Sequence, residues 1–428
     1  MPLSERMAYG LLALPLALIG LPLYVYLPTL LVQVTGLDLM TVGTLLLSAR
    51  LIEAVCDPLL GKWIAKLHQT RPPLLRIISF WVASTLAVFL LLILTSPHWL
   101  GFAVDRDVND LPRTGLLRAC VLIAYLAYGW LSIVHYTIGA QWVVQGEPAA
   151  RLYGVRESLA LVGVLLGSLL PLAVNWAMYG VVCATLIAAG MWTLRSSWAV
   201  LVQPPKLIAP STDLLQHNPA VPLDRYIKRV LIVFFMSTLA GSLPASLLGF
   251  YVADVLGLKD AAPKFLAIYF STGAVGFAIW PKLAARYSAT KLWALAMAAA
   301  ALAFAFALLL RADTPHVAWW FGVVCGATGL LLGAEWMLPQ SVVATRLAKL
   351  SQSEQAGRVF GIWTWAQKMA LAIATGVALW GLAVLGYVPG NASSNTVALI
   401  ALYCLAPALM KMVAAWAAWQ LAPQEIEK

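Results

Sequence analysis

The chain has few charged side chains. Only 11% of its 428 residues are Asp, Glu, Lys or Arg, whereas 62% are hydrophobic. The polar–apolar alternation of membrane barrels is also missing, and long unbroken apolar runs take its place. A soluble domain of this length does not need so much apolar surface. The composition therefore predicts an integral membrane protein built from α-helices.

The sequence lacks the usual signals of catalysis and of metal binding. It contains no nucleotide-binding glycine loop, no haem ligand pair and no nucleophile–base set. Its five cysteines have no C-x-x-C spacing and lie in apolar segments, which indicates small buried residues. The net charge of +10 comes from basic residues between apolar segments. We therefore expect no enzyme activity, no cofactor other than a coupling Na⁺ or H⁺, and no nucleic-acid partner.

Twelve apolar segments are long enough to cross a bilayer. A Pro-rich polar stretch at 201–227 separates the sixth from the seventh, which predicts two six-helix halves at 1–200 and 228–428 and a monomer among membrane lipids. The predicted spans are 8–34, 40–66, 75–99, 116–145, 157–175, 178–200, 228–254, 263–285, 291–310, 317–345, 359–386 and 394–420.

Basic residues between the spans predict the orientation. With both termini inside, 19 Lys and Arg residues lie on the cytoplasmic side and six on the other side. Because Lys and Arg are retained on the cytoplasmic side, we expect cytoplasmic termini in a multi-pass inner-membrane protein. The apolar run from Leu11 past Pro28 is too long for a cleaved signal peptide.

Charged residues within the second span form the most specific pattern. In LSARLIEAVCDPLLG, Arg50, Glu53 and Asp57 are spaced i, i+3, i+7 and share one helix face. A charge at this depth costs at least ~2.5–3.5 kcal/mol and normally faces a protein interior or a water-filled cavity. The pattern favours a cation or proton site with Arg50 as counter-charge. Backbone carbonyls freed by Pro58 would suit Na⁺, whereas a drier site would suit H⁺. The alternative is that Arg50, Glu53 and Asp57 neutralise one another in a structural network.

Other polar residues within the spans are candidates for substrate binding. Lys368 could bind an anionic group or extend to the interface, and Glu335 could pair with it or form a structural ion pair. Trp336 could stack on a substrate or serve in packing. Three further candidates share a face of the fourth span, where His135 could also be a packing residue: Ser132, His135 and Tyr136.

Arg156 opens the predicted fifth span together with Glu157. An acid in a first helical turn interacts favourably with the helix dipole, so one interpretation is a capped helix end. The other interpretation is that Arg156 gates the cytoplasmic mouth of a transport path.

Six segments, taken in chain order, carry a family resemblance: YGLLALP, RLIEAVCDPLLG, GAQWVVQGEPAARLYGVRESLALVG, LPASLLGFYVADVLG, the run 280–286, and Lys368 with LGYVPGNASS. The set resembles the glycoside–pentoside–hexuronide cation symporters, the melibiose permease family of the major facilitator superfamily. The resemblance implies an all-α fold of twelve transmembrane helices and alternating access.

The same resemblance implies roles for individual residues. Asp57 and Glu53 match the family's cation-site acids, and Arg50, Arg156 and Lys368 match its basic positions. Trp336 falls where sugar-transporting members carry a tryptophan near the substrate. The sugar-binding aspartates of helices one and four fall at Ala17 and Ser132 here, which would leave sugar hydroxyls unpaired at roughly 1–3 kcal/mol each.

We therefore expect a symporter of a small organic solute other than a melibiose-type sugar. Eukaryotic lysolipid symporters share the acidic pair and the helix-eleven lysine, so a lysolipid or amphipathic lipid transporter of the same fold is an alternative. A second alternative is a non-transporting carrier or assembly factor for a hydrophobic ligand.

Overall fold

The computed structural model describes residues 3–21, 39–95, 111–195, 198, 223–258, 261–387 and 396–426. This part of the chain is mainly α-helical, with π-helical segments at Tyr251–Val255 and Ala401–Leu405 and a 3₁₀ turn at Ser353–Gln355. The helices are α1 (Leu3–Gly10), α2 (Ala13–Leu21), α3 (Leu39–Thr70), α4 (Pro72–Thr95), α5 (Leu111–Val144), α6 (Ala149–Ala173), α7 (Trp176–Thr193), α8 (Arg225–Phe250), α9 (Ala262–Ala284), α10 (Ala289–Ala307), α11 (Val317–Lys349), α12 (Ala356–Val384), α13 (Thr396–Ile400) and α14 (Ala406–Ile426).

Each predicted span overlaps one of these helices, or, in the first and last spans, the pairs α1 with α2 and α13 with α14. Outside the described residues lie 22–34 of the first span, 96–99 of the third, 196–197 and 199–200 of the sixth, 394–395 of the last and 201–222 of the predicted linker. Within the described residues, nine spans are long and apolar enough to cross a membrane. The other three correspond to α3, α6 and α12, which are 32, 25 and 29 residues long. Those three helices contain many of the charged candidate residues, which lower their hydropathy.

Local sequence signals explain several helix starts. Asn175 accepts a hydrogen bond from the Met178 amide at the start of α7, and Asp224 accepts from the Tyr226 and Ile227 amides at the start of α8. Ser288 accepts from the Lys291 amide before α10. Each side chain satisfies amides that have no partner inside their own helix.

The first predicted span, 8–34, is described only as far as residue 21, and this part is divided into α1 and α2 by a break at residues 11–12. Pro15 explains the break, because its ring clashes with the carbonyl of Leu11 and it has no amide hydrogen to donate. Two carbonyls just before the break accept from side chains of other helices. The Ala8 carbonyl accepts from Thr193 Oγ1 at 3.2 Å, and the Tyr9 carbonyl lies 2.8 Å from His135 Nε2.

The fifth predicted span needs a correction. The sequence placed its start near Arg156 and Glu157, but α6 begins at Ala149, directly after Pro148. Arg156 and Glu157 therefore lie two turns inside the helix, and the interpretation of Glu157 as a first-turn cap is wrong. The segment AARLYGVR contains good helix formers, so the charged residues do not mark the helix end.

The chain forms two compact units. Unit 1 comprises residues 1–147, 155–208 and 347–365, and unit 2 comprises 148–154, 209–346 and 366–428. Unit 1 packs α4 between α5 and α7 and places α3 against α5. Unit 2 packs α14 against α10 and α8, and its core includes Tyr251 stacked on Tyr403 with ring centroids 4.0 Å apart.

Candidate functional site

Two carboxylates lie on the buried face of α3 in unit 1. Glu53 is 1% exposed and Asp57 is 0% exposed. The opposite face of the same two turns carries apolar side chains, with Val55 66% exposed and Leu59 52% exposed. Both acids are therefore directed into protein, as the spacing predicts. Arg50 also lies in α3, but its side chain falls outside the described residues.

The backbone of α12 lies unusually close to α3 at this level. A Cβ atom on Gly361 would lie 2.7 Å from the Asp57 carbonyl oxygen, and one on Gly61 would lie 2.4 Å from the Gly357 carbonyl oxygen. Only glycine fits at such distances, so Gly61 and Gly361 allow the two helices to touch. The turn of α3 that carries Asp57 is thereby fixed against the first part of α12.

A second polar cluster in unit 1 joins α1, α5 and α6. His135 is fully buried, and since a carbonyl can only accept, its Nε2 donates to the Tyr9 carbonyl. Tyr9 Oη donates in return to the His135 carbonyl at 3.2 Å. Among the described residues, His135 Nδ1 has no hydrogen-bond partner. The reciprocal bonds favour the interpretation of His135 as a packing residue that holds α1 against α5.

Arg156 completes this cluster. Its guanidinium carbon lies 3.7 Å from the centre of the Tyr136 ring, and its Nη1 pairs with the Glu157 carboxylate. On its other side, Tyr136 stacks on Phe360 with centroids 5.0 Å apart. Arg156, Glu157, Tyr136 and the neighbouring Ser132 are all buried. A buried guanidinium stacked on an aromatic ring is stabilised by cation–π attraction.

Unit 2 contains the remaining candidates. Glu335 and Trp336 lie in α11, and the Trp336 ring lies 6.4 Å from that of Phe277. Lys368 lies in α12 and is half-buried. The structure thus brings Ser132, Tyr136 and Arg156 into one unit, and Glu335, Trp336 and Lys368 into the other.

The sequence reasoning missed Lys411. This residue of α14 is 3% exposed, and its Nζ pairs with Glu335 Oε2. Ser237 Oγ of α8 donates to the same oxygen at 3.2 Å. The ion pair found at Glu335 therefore joins α11 to α14, whereas the sequence had suggested Lys368 as the partner. A signal was present, because Lys411 is the only charged residue in the last predicted span.

Long apolar helices with charged side chains buried at mid-helix define a polytopic membrane protein of the transporter class. Residues 8–422 match the family described as MFS/sugar transport protein, and the chain belongs to that family. No curated protein matches its sequence.

Solved structures of low sequence identity share its fold. A bacterial homologue of the iron transporter ferroportin, in an outward-facing state, is 14% identical with a TM-score of 0.71, and the match covers 99% of this chain and 100% of that one. The human organic anion transporter MFSD10 (TETRAN) is 16% identical with a TM-score of 0.59, covering 99% and 100%. The MFS transporter FucP in the outward conformation is 13% identical with a TM-score of 0.61, covering 99% and 98%. The chain therefore has the all-α major facilitator fold of twelve transmembrane helices in two six-helix halves.

Proposed function

We propose that the protein is a cation- or proton-coupled symporter of a small organic solute. The observation that carries the proposal is the pair of carboxylates on the buried face of α3, 1% and 0% exposed, near the middle of a 32-residue helix. Two acids one turn apart on one buried helix face repel each other. Binding of Na⁺ or H⁺ lowers the negative charge at this face and relieves that repulsion.

This charge balance suggests how ion binding drives the transport cycle. A net negative charge at membrane depth disfavours a conformation that excludes water from the acids. Neutralisation by the coupling ion lowers that cost, so the ion shifts the population toward the closed conformations that alternating access requires.

Ser132 and Tyr136 of unit 1 and Trp336 and Lys368 of unit 2 are proposed as substrate-binding residues, and Arg156 as a gating residue. Ala17 and Ser132 stand where melibiose-type members place sugar-binding aspartates, which supports a solute other than such a sugar. We assign the chain to the glycoside–pentoside–hexuronide symporters because RLIEAVCDPLLG resembles the cation motif of that family.

The first experiment measures the thermal stability of the purified protein against Na⁺, Li⁺ and pH. A ligand that binds only the folded state stabilises it by about 2.7 kcal/mol at 100 times its Kd. We expect a Na⁺-specific or pH-dependent shift in the wild type that Asp57→Asn removes. Glu354→Gln is the matched control, because Glu354 is an exposed acid outside the spans.

Transport itself is tested in proteoliposomes that carry a Na⁺ or pH gradient. Gradient-driven uptake of candidate solutes should require Asp57 and Glu53, and full uptake by Asp57→Asn would refute the coupling role. Uptake or exchange of lysolipid in the same vesicles would favour the lipid transporter. Function in cells that does not depend on any gradient would favour the passive carrier.

We also propose an inner-membrane location with both termini in the cytoplasm, from the excess of Lys and Arg on that side. Reporter fusions at each end test this orientation. A reporter active only in the cytoplasm should be active at both termini.

A further inference from the structure

A second buried charge cluster lies near the middle of three spans of unit 2. Glu335 is 14 residues from the nearer end of its span, Lys411 is 11 and Ser237 is 12, since the spans are Val317–Lys349, Thr396–Ala422 and Arg225–Val255. At 1.5 Å per residue, each residue lies about 16–21 Å from a helix end. Lys411 is 3% exposed, so its ammonium does not extend to the interface.

The cluster is held by contacts from three helices. Glu335 Oε2 accepts from Lys411 Nζ and, at 3.2 Å, from Ser237 Oγ. Gly241 lies one turn beyond Ser237 in α8, and a Cβ atom there would be in ordinary contact with Lys411 Nζ at 3.8 Å. Tyr269 of α9 lies within electrostatic range of Glu335. Residues of α8, α9 and α14 thus surround the carboxylate of α11.

Packing alone does not require such a pair. Well-packed apolar residues in place of a buried ion pair are often as stable or more stable, because desolvation of two charges offsets their attraction. The pair is electrically neutral, with one carboxylate and one ammonium. Its net charge also stays zero if Glu335 takes up a proton and an external monoanion pairs with Lys411. The exchange therefore buries no extra charge in the membrane.

We propose that Glu335 and Lys411 form a proton-linked binding site for an organic monocarboxylate. The carboxylate of Glu335 occupies the position beside the Lys411 ammonium that the carboxylate of the substrate takes. When H⁺ binds Glu335, its oxygens no longer carry the charge that competes for Lys411, and one substrate carboxylate replaces them. The exchange is electrically neutral only for a singly charged anion, which favours a monocarboxylate over a doubly charged phosphate. This inference rests on the proposed transport function and identifies its substrate class.

The wild-type protein provides the first test, which does not depend on any variant folding. Sodium benzoate, sodium acetate and sodium lactate are added separately to the purified full-length protein at pH 7 in weak buffer, and proton uptake is followed with a pH indicator dye. At least one of these probes should cause uptake of one H⁺ per carboxylate bound, while sodium chloride and inorganic phosphate should cause none. Binding without proton uptake, or no response to all three carboxylates, overturns the proposal.

Variants then assign the site, with benzoate-induced thermal stabilisation as the readout. In the wild type the apparent affinity should fall as the pH rises, because a proton and the carboxylate favour each other's binding. Glu335→Gln should bind benzoate independently of pH, and Lys411→Gln should lose the shift. An unchanged pH dependence in Glu335→Gln, or benzoate binding retained by Lys411→Gln, refutes the assignment.

Asp57→Asn separates this inference from the proposed coupling role of α3. We expect Asp57→Asn to keep benzoate-linked proton uptake while it loses the Na⁺- or pH-dependent shift assigned to Asp57. Loss of the α3 response with the benzoate response intact contradicts neither proposal. A benzoate response that is absent in the wild type while Asp57 responds to ions contradicts only the inference about Glu335 and Lys411.

Discussion

Unit 1 and unit 2 place charge at membrane depth in different ways. In unit 1, Glu53 and Asp57 lie one turn apart on a single helix. In unit 2, Glu335 lies on α11 and meets Lys411 of α14, which contributes the opposite charge. Two acids on one helix repel each other, whereas an acid–base pair is electrically neutral. Under the two proposals, the first arrangement would respond to a cation directly, and the second only when a proton and an anion bind together.

Removal of one partner of the unit 2 pair should have the largest effect. Lys411→Met leaves the Glu335 carboxylate buried without its ammonium, which typically costs about 3–5 kcal/mol. Thermal or denaturant unfolding in detergent measures this loss. The double variant Glu335→Gln/Lys411→Met should recover most of it, because no buried charge remains. Equal destabilisation by the single and double variants would show that the pair contributes through packing and not through charge.

Neutralisation of Asp57 should have a smaller effect that depends on conditions. Asp57→Asn should remove the ion-dependent part of the stability, about 2.7 kcal/mol when the ion is at 100 times its Kd, and change little without the ion. Unfolding curves with and without Na⁺, at several pH values, measure this difference. A constant loss under all conditions would assign Asp57 a structural role and remove the contrast between the two units.

The close approach of α3 and α12 predicts a third effect. Gly61→Ala places a methyl group 2.4 Å from the Gly357 carbonyl oxygen, so the helices must shift. Overpacking of this kind typically costs about 1–3 kcal/mol. Gly249→Ala in α8 is the matched control, because nothing lies within 4 Å of the added atom. We expect the control to be neutral or slightly stabilising, since Ala favours helix more than Gly does.

The smallest effect is expected at Tyr9. Tyr9→Phe removes the hydroxyl that donates to the His135 carbonyl at 3.2 Å but keeps the ring 4.5 Å from the His135 ring. The loss should be about 0.5–1.5 kcal/mol. Tyr287→Phe is a suitable control because Tyr287 is 62% exposed. A loss at Tyr9 no greater than at Tyr287 would show that this bond does not hold α1.

The apolar segments of the sequence predicted where the helices lie, but they did not predict the break within the first span. Runs such as 75–99 are so apolar that length alone identifies a span. The break at residues 11–12 was signalled only by Pro15, and Pro58 shows why that signal is ambiguous, since α3 continues through it. The proline alone therefore does not decide whether a helix breaks.

The candidate site was predictable only where its members share one helix. Glu53 and Asp57 are four residues apart, so their common face follows from helix geometry. Glu335 and Lys411 are 76 residues apart, and the stack of Arg156 on Tyr136 joins two helices. Such contacts depend on how the helices pack, which no local pattern in one sequence specifies.

The joint between α1 and α2 has a mechanical consequence. In an intact helix within lipid, a sharp bend separates an amide from its carbonyl, and each unsatisfied group costs several kcal/mol. Here the carbonyls of Ala8 and Tyr9 are already bonded to Thr193 and His135. The angle between the two helices can therefore change without breaking a backbone bond at these carbonyls. Residues 3–21 thus form two helices joined by a hinge, and the side chains that bond to the hinge come from α5 and α7.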